Sequence, residues 1–200
     1  MLDWLKFINK EHPEFWKTYL SKFDSKTKVN RFVSLSIETS GLNPEKDVLF
    51  SFGAVAIVDD SIVISDNFDL LLLQYKYLED NALPNDFLTE SKVIKLAEPQ
   101  AIEAFIEYLG NAVLVGYHIN FDIEMINKAL DKINCGRLKN EALDIEIMHK
   151  RWIDNSDKSF TLDELCTSFK IPTGERQTSS ENSYAIALLF LKLKSRLGIR

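Results

Sequence analysis

RFVSLSIETSGLNPEKDVLFSFGAVAI, residues 31–57, is the stretch whose reading decides the fold. Both ends are apolar and rich in strand-forming residues, Arg31 to Ile37 and Val48 onward, and Asn43-Pro44-Glu45 between them has turn chemistry. The stretch predicts a strand, a turn and a second strand. Side chains alternate along a strand, so Ser36 and Glu38 share one face at the end of the first. Two carboxylates in that arrangement can hold a metal. Here the first position is a serine, and only the second is acidic.

A third strand is predicted over Ile62 to Leu73, after the turn signal Asp59-Asp60. Glu98-Pro99 opens a helix over Gln100 to Leu109, with proline at a favoured early position. A short buried strand, Ala112 to Val115, ends in Gly116 and leads to a helix over Phe121 to Ile133, whose apolar residues follow a helical stripe. Ala142 to Ile145 reads as one more short strand before a helix through Trp152. Thr161, with Glu164 three residues on, caps a helix ending near Phe169, and a strongly apolar helix runs from about Glu181 to Leu197. Strands first, then helices alternating with short strands, predict an α/β fold: a mixed sheet with helices on its faces. Ahead of it, Trp4, Leu5, Phe7 and Ile8, then Phe15, Trp16, Tyr19, Leu20 and Phe23, recur at helical spacing around His12-Pro13. Residues 1–29 are therefore expected to form a helical N-terminal extension of the domain spanning 30–200, folded over an apolar patch rather than held out as a free arm.

A chain of 200 residues with 46% apolar content builds one domain with an ample core. The net charge of −6 speaks against gripping nucleic acid through overall charge. An acidic site neutralised by divalent cations, or a basic rim, remains compatible with it. Cys135 and Cys166 lack metal-ligand spacing and read as reduced packing residues of a cytoplasmic protein. No apolar run approaches the ~20 residues of a membrane span. Asp3 and Lys6 interrupt the first apolar stretch, so neither a membrane partner nor a secretory signal is expected.

Three segments at predicted element ends carry the candidate chemistry: SIETSGL (36–42), VGYHINFD (115–122) and ERQTSSENS (175–183). By residue chemistry alone, Glu38, His118 and Asp122 are either a small metal site or ordinary surface and helix-start residues.

The order and spacing of these segments resemble the DEDDh 3′–5′ exonucleases, the group that includes the proofreading epsilon subunit of bacterial DNA polymerase III. That family carries Asp-x-Glu-Thr-Thr-Gly-Leu at its first strand end, Gly-His-Asn-x-x-Phe-Asp at its second site, and His-x-x-x-x-Asp-Ala before its last helix. The resemblance runs from residue 31 to about 195 and also takes in ALDIEIMHKRW and KSFTLDELCTSFKI. It implies a ribonuclease H-like mixed β-sheet flanked by helices. It also implies a site in which four carboxylates hold two Mg²⁺ or Mn²⁺ ions and a histidine deprotonates the attacking water. Carried over residue by residue, the first Asp falls on Ser36, the Glu on Glu38, the middle Asp on Asp122, the His on Gln177 and the last Asp on Asn182.

Only Glu38 and Asp122 keep the family's chemistry. Two ions about 4 Å apart bring four positive charges, and two carboxylates balance half of them. Neutral Ser and Asn oxygens coordinate without compensating charge, so Glu38 and Asp122 are expected to hold at most one ion, weakly. Gln177 accepts no proton near neutral pH, which forfeits general-base assistance worth ~10²–10⁴ in rate. Glu181 is one residue from Asn182 and so about 100° round the helix, and His118 stands where the family has Asn; Glu181 is expected to be a solvated side chain and His118 an ordinary helix-start residue. The leading expectation is an exonuclease-fold protein with a degenerate active site, binding single-stranded nucleic acid or a protein. The rivals are an active exonuclease with an altered ligand set, and an interaction module working through the N-terminal helices.

Overall fold

The computed structural model describes residues 12–24, 30–74, 92–154, 157–172 and 178–199. Three strands, β1 (Arg31–Thr39), β2 (Leu49–Val58) and β3 (Ser61–Leu73), form an antiparallel meander. The elements that follow are β4 (Ile94–Ala97), α2 (Glu98–Leu109), β5 (Val113–Gly116), α3 (Ile119–Lys132), β6 (Ala142–Asp144), α4 (Ile145–Trp152), α5 (Leu162–Ser168) and α6 (Ser179–Leu197). A short helix, α1 (Glu14–Ser21), precedes the meander. The strands lie in the order β4-β3-β2-β1-β5-β6, with β1–β5, β5–β6 and β3–β4 parallel, so the sheet is mixed as the meander and its alternating tail predict.

Alternation along β1 sorts the two faces. Val33 and Leu35 enter a core shared with α1, α2 and α3, while Phe32 packs on the other face with α4, α5 and α6. Strand β2 does the same: Phe52 and Ala54 face the first core, Val55 and Ile57 the second. Phe52 and Phe105 stack in the first core with ring centroids 4.2 Å apart, and Phe32 meets Phe190 at 4.9 Å in the second. A buried aromatic withdraws roughly 150–250 Å² from water, so these pairs anchor α2 and α6 to the sheet, through Phe105 on Phe52 and Phe190 on Phe32.

Strand β4 was not among the predicted elements. Its four residues are too few to display a period, and its pairing partner, Leu70–Leu73 of β3, lies more than twenty residues earlier. The last helix starts at Ser179, two residues before its predicted start, because Thr178 is the N-cap. The Thr178 hydroxyl accepts from the Glu181 N–H and Glu181 returns the bond to the Thr178 N–H, a capping box like that of Thr161 and Glu164 on α5. In the N-terminal segment, Trp16 and Tyr19 of α1 are buried, stacked with centroids 4.7 Å apart. Trp4, Phe7 and the helix predicted around them lie outside the described residues.

Candidate active site

The second face of β1 is made of small residues near its end. Ser34 is fully buried, and its hydroxyl donates to the Ser183 carbonyl of α6 at 2.6 Å. Ser36 lies opposite Gly53 and Glu38 opposite Ser51 in the β1–β2 register. A Cβ built on Gly53 would stand 2.1 Å from the Ser179 carbonyl carbon and 2.2 Å from the Ser180 nitrogen. The N-terminus of α6 therefore rests directly on the β2 backbone, and glycine is the residue that permits it. These small residues set the height of the last helix above the strand that carries Ser36 and Glu38.

Glu38 is held by that helix. Ser51 Oγ lies 2.9 Å from the Glu38 carboxylate and 2.9 Å from Ser179 Oγ, so a single Ser51 proton goes to the carboxylate while the Ser179 hydroxyl donates to Ser51. Burial raises the Glu38 pKa; the Ser51 hydroxyl and the Ser179 backbone N–H oppose it, and the neighbouring Asp69 adds to it. Asp69 is itself raised by burial and steadied by a hydrogen bond with Ser180. Glu38 and its partners thus form a polar patch spanning β1, β2, β3 and the start of α6.

Beside this patch is a cavity of about 690 Å³, lined among others by Ser36, His118, Asp122, Asp163 and Asn182. Glu38 is not among its lining residues. Asp122, in the first turn of α3, is 7% exposed. Burial, reinforced by the negative charge of Asp144, raises its pKa well above the ordinary carboxylate range. No donor among the described residues bonds it. Asn182 sits in the first turn of α6, its N–H donating to the Thr178 carbonyl at 3.1 Å. Gln177, immediately before that N-cap, lies outside the described residues.

His118 takes the left-handed backbone conformation (φ 54°) at the N-cap of α3. Its Nε2 is 3.1 Å from Oε2 of the buried Glu146, and its ring stacks on Tyr117 with centroids 4.1 Å apart. Burial works against the charge on Glu146, yet the Phe160 N–H, Lys150 and His118 together pull its pKa below the ordinary value. Sequence reasoning missed Glu146 and Asp144. Asp144 caps α4 by accepting from the Glu146 and Ile147 N–H groups, and also accepts from the Ile119 N–H at 3.1 Å. An aspartate closing a short strand before a helix, as in Leu143-Asp144-Ile145-Glu146, is a readable capping signal. The His118–Glu146 contact, 28 residues apart, has no signature in the sequence.

The donor set facing the cavity does not fit a pair of divalent ions. Its lining carboxylates are Asp122, whose ionisation burial disfavours, and the exposed Asp163 at the start of α5; Ser36 and Asn182 offer only neutral oxygens, and Glu38, outside the lining, accepts its bonds from Ser51 and Ser179. Among the described residues, no group of three or more His, Cys, Asp or Glu side chains is placed to hold a metal. Among them, too, no helix is long and apolar enough to cross a membrane.

The exonuclease family model (RNase_T) matches residues 33–176. The epsilon subunit of DNA polymerase III from Buchnera aphidicola is 26% identical over 181 residues, covering 80% of this chain and 71% of that protein. A PolC-type DNA polymerase III from Caldanaerobacter subterraneus is 28% identical over 169 residues, covering 83% of this chain but 12% of its own length. Among solved structures, Escherichia coli Exonuclease I in complex with a dT13 oligonucleotide superposes with a TM-score of 0.64 at 16% identity, over 84% of this chain and 42% of that one. Exonuclease I from Methylocaldum szegediense gives the same TM-score at 16% identity, over 84% of this chain and 41% of its own. This chain thus spans under half of those Exonuclease I chains and about an eighth of the PolC-type relative. The sheet order, the helices on both faces and the match over residues 33–176 agree with one another: the chain belongs to the RNase_T exonucleases, the DEDDh-type 3′–5′ exonuclease family with its ribonuclease H-like fold.

Proposed function

We propose that this chain keeps the exonuclease fold but has lost efficient two-metal hydrolysis, and that it serves to bind single-stranded nucleic acid or a protein. The observation that carries the reading is the lining of the cavity beside α3 and α6: two positions aligned with family carboxylates, Ser36 and Asn182, line it as neutral side chains around Asp122. Glu38 supports it as well, since its carboxylate accepts hydrogen bonds from the protein itself. Without a full carboxylate set, the charge developing on a phosphodiester in the transition state goes unbalanced. Without a base at Gln177, the attacking water keeps its proton. Here Glu38 and Asp122 hold at most one Mg²⁺ or Mn²⁺ ion, weakly. A single strand is the nucleic acid that suits the cleft, in keeping with the dT13 strand held by the Exonuclease I neighbour. Cys135 and Cys166, both buried and neither in a disulfide, fit a reducing, cytoplasmic setting.

The test is degradation of end-labelled single-stranded DNA and RNA in Mg²⁺ and in Mn²⁺. The wild-type chain is expected to act no faster than a Glu38→Gln/Asp122→Asn double variant. The Ser36→Asp/Gln177→His/Asn182→Asp variant is expected to gain metal-dependent hydrolysis, and to need all three changes because residues of one catalytic unit act non-additively. Clear wild-type activity abolished by the Glu38 and Asp122 changes overturns the proposal.

One observation favours a second reading, an active exonuclease with a changed residue set. His118 lines the same cavity, and Glu146 fixes one of its ring nitrogens, leaving the other available as a base. On that reading His118→Gln abolishes a wild-type activity; on the leading reading it has none to abolish.

A further inference from the structure

Away from the cavity beside Asp122, a second concavity of about 520 Å³ opens where the ends of α4 and α5 meet the C-terminal half of α6. Its apolar wall is Trp152, Phe169 and Leu191; its cations are Lys170, Lys192 and Arg196. Among the described residues no carboxylate lines it, in a chain whose net charge is −6. The helix dipole accounts for a cation near the end of α6. It does not account for Lys170, which comes from the segment after α5, nor for the spacing of Lys192 and Arg196. Those two lie four residues apart on one helical face, a like-charge pairing that costs the helix a little stability. Lys194, between them, pairs with Asp60. Lys170, Lys192 and Arg196 have no ion-pair partner among the described residues. Three mutually repelling cations around one apolar recess form a site complementary to an anion that carries an apolar group.

We propose that this groove docks an acidic segment of a partner protein, seating one apolar side chain against Phe169 and Leu191 while its carboxylates meet Lys170, Lys192 and Arg196. The surroundings of Trp152 favour a peptide over a nucleic acid strand. Sequence-independent strand binding relies on open aromatic faces for base stacking. Trp152 is 39% exposed, but the Arg196 guanidinium sits over its ring at 5.5 Å, and Phe169 and His149 crowd the ring at 5.3 and 5.8 Å. What stays open is the apolar recess and the ring of charge, which suits a side chain rather than a base. The inference stands apart from the state of the exonuclease cleft, because no residue is shared between the two cavities.

The test is fluorescence anisotropy with the full chain and a labelled Asp-rich peptide carrying a single Phe. Parallel arms use the same peptide with Phe replaced by Ser, and a labelled single-stranded oligonucleotide. The Asp–Phe peptide is expected to bind with an affinity that falls as salt is raised. Lys192→Glu/Arg196→Glu is expected to weaken it by about tenfold or more, with the chain still folded because both side chains are exposed and only the Arg196–Trp152 contact and a favourable dipole interaction are lost. A neutral pair, Lys192→Gln/Arg196→Gln, should fall between the two. The Phe-to-Ser peptide is expected to bind several-fold more weakly. Three results overturn the proposal: no binding of the Asp–Phe peptide, equal binding of both peptides, or the charge-reversal variant losing the oligonucleotide rather than the peptide.

Discussion

Gly53 is the position at which the site and the fold depend on the same atom. Placing a Cβ there brings it to 2.1, 2.2 and 2.4 Å from backbone atoms of Ser179 and Ser180, where ordinary contact begins near 3.4 Å. Those are main-chain atoms of a capped helix, so no rotamer change relieves the overlap, and α6 must retreat from β2 by about an ångström. The retreat separates Ser179 from Ser51 and Glu38, and Ser183 from the Ser34 hydroxyl. Overpacking of this kind costs ~1–3 kcal/mol before any loss of the attached hydrogen bonds. Counting both, Gly53→Ala is expected to destabilise the chain by about 2–4 kcal/mol, lowering Tm by roughly 5–12 °C for a domain of this size. Differential scanning calorimetry measures it. Gly136→Ala is the control, because its added Cβ meets only the Trp16 ring, at 3.4 Å, and its expected effect is within about 1 kcal/mol. A Gly53→Ala protein that melts with the wild type would show that α6 does not lie on β2 as described, and the placement of Ser179 and Asn182 would fall with it.

Three further outcomes follow from particular groups. The raised pKa of Asp122 means that ionising it costs more in the folded chain than in the unfolded one. Its contribution is intact below the unfolded value near 4 and is lost as pH rises through the folded one, so Asp122→Asn should stabilise the protein at neutral pH and leave it unchanged near pH 3, as read from thermal melts across that range. His149 is buried with Nδ1 unpaired, and burial lowers its pKa. Its contribution is present above the unfolded value of about 6.5 and lost as pH falls through the folded one; His149→Phe should flatten that acid limb of the stability profile, and an unchanged limb would exclude His149 as its source. Trp16, 1% exposed and stacked on Tyr19, should cost ~3–5 kcal/mol when replaced by Ala, and a melting temperature within a degree of wild type would mean that α1 is not part of the core.

The parts of this fold that were legible in the sequence are those whose signal is local. Val33 and Leu35 alternate with Phe32 and Ser34, and that alternation alone separates the two cores. Thr161 and Glu164 announce their capping box by spacing, and Thr178 and Glu181 repeat the same signal, which would have placed the start of α6 correctly. What escaped was set by distant partners. Ile94–Ala97 is a strand because β3 supplies the edge it pairs with. Glu146 looks like a surface helix residue until His118, Lys150 and the Phe160 N–H are seen around it. The alternation put Ser36 and Glu38 on one face, but not how each would be engaged. The β1–β2 register shifts between Glu38 and Thr39, at the strand end where Ser51 and Ser179 engage the carboxylate, and Ser36 alone of the pair lines the cavity.

That division bears on how a site of this family can lose its metals without losing its fold. Carboxylates crowded into one cleft repel each other and resist burial until cations fill the space between them, so a full set makes the cleft dependent on its ions. On the proposed reading, Ser36 and Asn182 remove two of those charges, and burial biases Asp122 to its neutral form. Burial raises the pKa of Glu38 as well, and the Ser51 hydroxyl and the N-terminus of α6 meet its carboxylate in place of a metal. Each substitution that weakens ion binding therefore also removes a reason for the cleft to need an ion. On that reading the changes at Ser36 and Asn182 are not independent losses, because relaxing the charge at one makes retaining the other less necessary. A carboxylate that accepts from a hydroxyl of the neighbouring strand and from a backbone N–H in the first turn of the last helix has a reason to stay after its catalytic one is gone, and that is the position in which Glu38 is found.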